Sequence, residues 1–251
     1  MKDSTTNKKT WIIILSIAVM LLLWTVASLC IGSNHILPDP WTTLKSTLSL
    51  FVEKGFWEAV GSTLLRGLIG FVIAIILGIG LGIWGGLNGK VDTFMKPWIV
   101  VMRSVPVIAF SLLALIWFSN DSAPAFIGIL TMFPMIYTNI VSGIHNVDPK
   151  LIEMAQFYQV SRQRIIKEVY IPAISPFVIS GISTAVGIGW RAIIVGEVLS
   201  QPHYGLGTQM QSAQAFLQVD HVIAWTIIAV LIGSLFEKLI RFGEHKLLKW
   251  K

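Results

Sequence analysis

The residues of this chain that could do chemistry are few and scattered. Five histidines, His35, His145, His203, His221 and His245, show no His-x3-His spacing, so none forms the short ligand pair of a helix-borne zinc site. The single cysteine, Cys30, excludes an intrachain disulfide and a cysteine-rich metal site. Serines are common, but none stands in a motif that pairs a nucleophile with a base. The nearest approach to a phosphate-binding loop is Gly85 to Val91, where the glycine spacing is one residue short and Val91 cannot bind Mg²⁺. Hydrolysis of a nucleotide by this chain itself is therefore not expected. More informative are Arg103, Arg191 and Glu197, ionisable residues inside apolar runs, because a charge in hydrocarbon is costly and generally functional. Arg103 lies six residues past Pro97, about 9 Å along a helix; it either snorkels to the cytoplasmic interface or faces a pore. Arg191 and Glu197 sit about 240° apart on a helix and cannot easily pair with each other. Trp190 and Glu197, seven apart, share a face. Glu197 either lines a pathway or gate or pairs with another helix.

The elements that must carry these residues are apolar. Of the 251 residues 54% are hydrophobic and 13% charged, with a mean hydropathy of +0.73. A soluble domain carries about 25% charged residues, so the composition disfavours a soluble enzyme, a disordered chain and a coiled coil. A helix needs roughly 20 apolar residues to cross a bilayer, and six runs qualify: 11–31, 64–87, 98–118, 124–144, 171–199 and 221–240. The chain is expected to be one all-α transmembrane domain over 1–251. The first run is too long for a signal peptide and is followed by a poor cleavage site at Ser33-Asn34-His35.

The net charge of +6 is explained by orientation rather than by nucleic acid. Fourteen of the 19 basic residues fall on one face: Lys2, Lys8 and Lys9; Lys90 and Lys96; Lys150, Arg162, Arg164 and Lys167; Lys238, Arg241, Lys246, Lys249 and Lys251. That bias assigns both termini and the 147–170 loop to the cytoplasm. Outside the membrane on the other face, 41–60 has Leu44, Leu48, Phe51, Val52 and Phe56 at helical spacing and is expected to form a surface helix. The turn into it is set by Leu37-Pro38-Asp39-Pro40. Gly70, Ala74, Gly78, Gly82 and Gly86 recur every four residues, a spacing that lets helix backbones approach closely in lipid. The partner is either a second subunit or a helix of the same chain. The 147–170 loop is too polar to span. Leu151, Met154, Ala155 and Tyr158 share one helical face, and Ile165, Ile166 and Val169 form a second stripe after Ser161, a candidate N-cap. The loop reads as two short helices with a turn near Gln159.

That loop resembles the cytoplasmic signature of ABC importer permeases, Glu-Ala-Ala, three residues, Gly, nine residues, Ile-x-Leu-Pro. Here it stands as Glu153-Met154-Ala155, then Gln159, then Val169-Tyr170-Ile171-Pro172. Other features agree in order: Leu37-Pro38-x-Pro40, the glycine-rich second run, Arg103-Ser104-Val105-Pro106, Trp190 with Glu197, Gly205-Leu206-Gly207 and Leu247-Leu248-Lys249-Trp250. Together they cover most of the chain and resemble the nitrate/sulfonate/taurine-type subfamily. Met154 departs mildly from the second Ala and Gln159 from the Gly, and Ser183 stands where many members carry Arg. The resemblance implies a type I importer permease in the bacterial cytoplasmic membrane, a transport subunit rather than an enzyme. It implies a second permease copy as homodimer partner, an extracytoplasmic substrate-binding protein, and two cytoplasmic ABC ATPase subunits that bind ATP and Mg²⁺. No cofactor is expected in this chain. Glu153, Met154, Ala155, Tyr158, Gln159 and Pro172 are the implied coupling residues, and Arg103, Trp190, Arg191 and Glu197 the pathway or gate candidates. The implied cargo is a small polar or anionic solute, with a thiamine-precursor-like heterocycle as the alternative. A self-sufficient secondary transporter is the competing class; it would concentrate ionisable residues at the bilayer midplane, and few are present.

Overall fold

The computed structural model describes residues 3–247, and these are helical with no strand. Leu248 to Trp250, which close the last sequence feature, lie outside the described residues. Among the described residues five helices are long and apolar enough to cross a membrane, six if a bent pair counts as one span. The helices fall into two compact units, 1–57 with 209–230 and 58–208 with 231–251.

In the first unit, α1 (Asp3–Ile31) is apolar and exposed along nearly its whole described length, as a helix facing lipid should be. The Trp24 indole donates to the Pro38 carbonyl at 3.0 Å and the Ser28 hydroxyl to that of Leu37 at 2.9 Å, which ties the proline turn to α1. Asp39 then caps α2 (Pro40–Leu50), accepting from the Trp41 and Thr42 amides and from the Thr42 hydroxyl at 2.6 Å. The Thr42 hydroxyl holds the Asp39 carboxyl below its ordinary pKa. The helix expected over 41–60 is in fact two pieces. α2 ends at Leu50, and Gly55 takes a φ of +90°, a conformation that only glycine adopts freely. α3 (Phe56–Leu87) starts there, eight residues before the expected second span. α2 buries Thr43, Ser46 and Thr47 and exposes Leu44 and Leu48, the reverse of a water-facing amphipathic helix. Ser46 donates to Asp220 at 2.6 Å, and Phe56 stacks on Trp225.

The second unit is built around α6 (Ala123–His145), whose Ile127, Met132, Ile136, Tyr137 and Ile140 are almost wholly buried. The small-residue stripe of α3 lies on it. A Cβ at Gly78 would stand 2.7 Å from that of Ile136, and one at Gly82 3.0 Å from that of Ile140. Gly70 faces Ala125 and Met132, Gly86 faces Ile144, and Ala74 is buried in the same cluster. Of the two partners open to the stripe, the one it meets is a helix of its own chain. The third apolar run is not a continuous helix. It divides into α4 (Gly89–Ser104) and α5 (Val107–Trp117), bent by 102°. Val105 is extended because proline disfavours the α region for the residue before it, and Pro106 opens α5. After α7 (Pro149–Phe157), α8 (Arg162–Ile165) passes through a π-helical turn, Ile166–Tyr170, into α9 (Ile171–Ser200). The second short helix of the loop is thus the N-terminal extension of the fifth span, helical from Arg162 to Ser200. α10 (Leu206–Ala215) and α11 (Val219–Leu247) complete the chain.

Candidate functional site

The 147–170 segment holds a short helix fixed at both ends. Asp148 caps α7 through the Lys150 amide, and Pro149 occupies its first turn. α7 closes in a Schellman arrangement: the Val160 amide donates to the Ala155 carbonyl and the Gln159 amide to that of Gln156, both at 2.9 Å. Gln159 therefore sits at the left-handed position, φ 54°, where glycine is the usual residue. This gives the Gln159 departure a physical meaning: the backbone retains the motif and the side chain imposes a strain of about 1–2 kcal/mol. Gln159→Gly is expected to raise thermal stability slightly or leave it unchanged, because the relieved strain is offset by the freer unfolded chain. A marked fall in melting temperature would contradict that account.

Ile152 packs against the buried cluster of α6 and α9, and Ala155 is half-buried. The outward side carries Met154 (54% exposed), Phe157 (83%) and Tyr158 (72%), with the two rings edge to face at 5.6 Å. Glu153 is exposed beside them. Ala155 is thus less available than its place in the motif suggested, and Phe157, absent from the shared-face pattern, is the most exposed apolar group of the helix. Pro172 is half-buried in the first turn of α9. Its missing N–H would interrupt a regular ladder, and the π-helical turn just before it, in which the Ile171 amide donates to Ile166, takes up the mismatch.

Glu197 does not face an opening. Its side chain is 0% exposed and accepts from Arg66 Nη1 at 2.8 Å, Thr63 Oγ1 at 2.9 Å and the Gly207 amide at 3.0 Å. Arg66 also donates to the Tyr204 carbonyl at 2.7 Å, the Asp121 carbonyl at 3.0 Å and the Asp121 carboxylate at 2.6 Å. One guanidinium thus joins α3, the α5–α6 turn, α9 and the loop into α10. Gly207 is required there, since a Cβ would stand 2.7 Å from the Glu197 Cβ and 2.8 Å from the Val198 nitrogen. Of the two readings open to Glu197, the pairing with another helix is the one seen here. Arg66 was not singled out by sequence, yet a signal existed: Arg66 lies two residues inside the start of its apolar run and Glu197 two inside the end of its own.

The other pathway candidates are not gathered with it. Trp190 is half-buried and packs its ring 5.7 Å from that of Phe236, beside Gly67 and Gly233. Arg191 is exposed and donates to the Gly187 carbonyl of its own helix. Arg103 is exposed at the edge of a cavity between α4 and α6. Among the described residues no group of three His, Cys, Asp or Glu side chains could hold a metal ion.

Residues 74–248 match the family described as the binding-protein-dependent transport system inner membrane component. The chain belongs to this family. It is the membrane-spanning permease subunit of an ABC importer, a multi-pass transport protein and not itself an enzyme. Permeases of this kind work with ATPase subunits and binding proteins. This permease is 30% identical to one assigned to aliphatic sulfonate transport in Bacillus subtilis (strain 168), over 93% of this chain and 85% of that one. It is 29% identical to the taurine transport permease of Escherichia coli (strain K12), over 94% and 88%. Its fold is that of a chain in a bacterial ABC transporter involved in import of the acidic polysaccharide alginate, with TM-score 0.62, 14% identity, and coverage of 99% of this chain and 100% of that one.

Proposed function

We propose that two copies of this permease form a translocation pathway for a small sulfonate-like anion, with both termini in the cytoplasm and α7 seated on a separate ATPase. The exposed Met154–Phe157–Tyr158 face carries this reading. It is apolar and aromatic, lies on a short helix fixed at both ends, and belongs to the loop that the basic residues assign to the cytoplasm. Such a surface, with large rigid side chains projecting from a well-anchored element, is what an interface hot spot requires. ATP and Mg²⁺ belong to the ATPase in this scheme. The small-residue stripe of α3 is occupied by α6, so the homodimer contact is made by other surfaces.

Topology is tested by cysteine labelling in a Cys30-free background. Cysteines at Asn120 and Gln201 are expected to react with an impermeant thiol reagent from outside; labelling at Asn7 or Lys249 from outside would overturn the orientation.

The substrate class is supported by the sulfonate and taurine assignments of the relatives and by exposed Arg103 and Arg191. Calorimetry of the partner binding protein against sulfonates, taurine, nitrate and thiamine-like heterocycles is expected to give tight binding in the sulfonate group. Preference for a heterocycle, sugar or metal ion would remove the substrate proposal and leave the permease intact.

A further inference from the structure

Between α4 and α6 lies a cavity of about 330 Å³ that takes no part in the α7 surface or the Arg66–Glu197 pair. Small-molecule sites start at roughly this volume. α4 lines it with Asp92, Lys96 and Arg103, whose spacing of four and seven residues puts them along one helical face. α6 contributes Tyr137, Ser142 and His145. The charges are unevenly matched. Asp92 is buried, accepts from the Tyr137 hydroxyl at 3.3 Å and faces Lys96 Nζ at 3.5 Å, so its negative charge already has partners. Arg103 and His145 have no hydrogen bond or ion pair among the described residues. The cavity therefore has at its edge a planar five-donor guanidinium without an acceptor, while its one carboxylate is engaged by Tyr137 and Lys96. Arginine in that state suits a bidentate oxyanion.

We propose that this cavity binds a sulfonate, sulfate or phosphate group, anchored by Arg103 and flanked by Lys96, the Ser142 hydroxyl and the His145 ring. The oxyanion has two possible sources, a free anion from solution and the phosphate of an anionic phospholipid. The site rests on the cavity's own geometry; only the first source draws on the substrate reading above.

The test uses the purified full-length chain in nanodiscs of phosphatidylcholine, with radiolabelled sulfate in equilibrium dialysis at low ionic strength. Saturable binding is expected, weakened at least tenfold by Arg103→Gln, several-fold by Lys96→Gln, and unchanged by Lys45→Gln. A second arm adds phosphatidylglycerol to the nanodiscs. Undiminished sulfate binding there identifies a free anion as occupant. Loss of sulfate binding, with phosphatidylglycerol retained through detergent extraction by the wild type and released by Arg103→Gln, identifies the lipid. Equal association of both probes with the wild type, Arg103→Gln and Lys96→Gln would overturn the proposal. Neither arm needs ATP, the ATPase or the binding protein, so such a failure leaves the transport reading standing.

Discussion

Tyr158→Asp and Met154→Asp are each expected to reduce ATP-driven uptake to background while the chain still inserts and folds. Met154 is 54% and Tyr158 72% exposed, so little inside the permease is lost when they change beyond the Tyr158 ring contact with Phe157. On the ATPase, however, an aspartate would place an unpaired charge in a partly dry contact. Breaking complementarity in that way costs about 3–5 kcal/mol, enough to lower the affinity of a complex by roughly two to three and a half orders of magnitude at about 1.4 kcal/mol per tenfold. Tyr158→Phe keeps the ring and its edge-to-face contact with Phe157 and is expected to retain most of the transport. The readouts are uptake into proteoliposomes and co-purification of the ATPase with the tagged permease. Wild-type uptake by both aspartate variants would remove α7 from the coupling path.

Arg66→Ala is expected to be the most destabilising single change in the second unit. It strips the fully buried Glu197 of its cationic partner and also frees the carbonyls of Tyr204 and Asp121. Removal of one member of a buried pair costs about 3–5 kcal/mol, chiefly because the other charge is left uncompensated. For a chain of this size that corresponds to a drop on the order of 10 °C in melting temperature. The paired change Arg66→Met with Glu197→Leu is expected to recover part of the loss, since no buried charge remains. Thermal unfolding in detergent distinguishes the two. If Arg66→Ala melted within a degree or two of the wild type, the cluster would not be a structural lock.

What could be read in the sequence followed from local physics. Apolar runs located the spans, and the α7 turn at Gln159 was legible because helix length and facial patterning are properties of consecutive residues. Pairing between helices was not. The partner of Gly78 is Ile136 and that of Glu197 is Arg66, and no periodicity in one helix specifies which face of another it will meet. The break at Val105-Pro106 was hidden for a different reason: the residues around it are apolar enough to extend a run across it, while the proline's restriction on Val105 turns the chain. Likewise α8 read as a separate helix because its polar residues end the apolar run, although hydrogen bonding continues through a π-helical turn into α9. Phe157 escaped notice because a face defined by i, i+3 and i+4 neighbours of Leu151 leaves it on the flank.

The most direct test of the account is uptake of radiolabelled taurine and an alkanesulfonate into proteoliposomes containing this permease, its ATPase and its binding protein. Uptake is expected to require both ATP and the binding protein and to persist when ion gradients are collapsed by ionophores. Uptake that proceeds without nucleotide and disappears with the ion gradient would contradict the account and establish a secondary transporter.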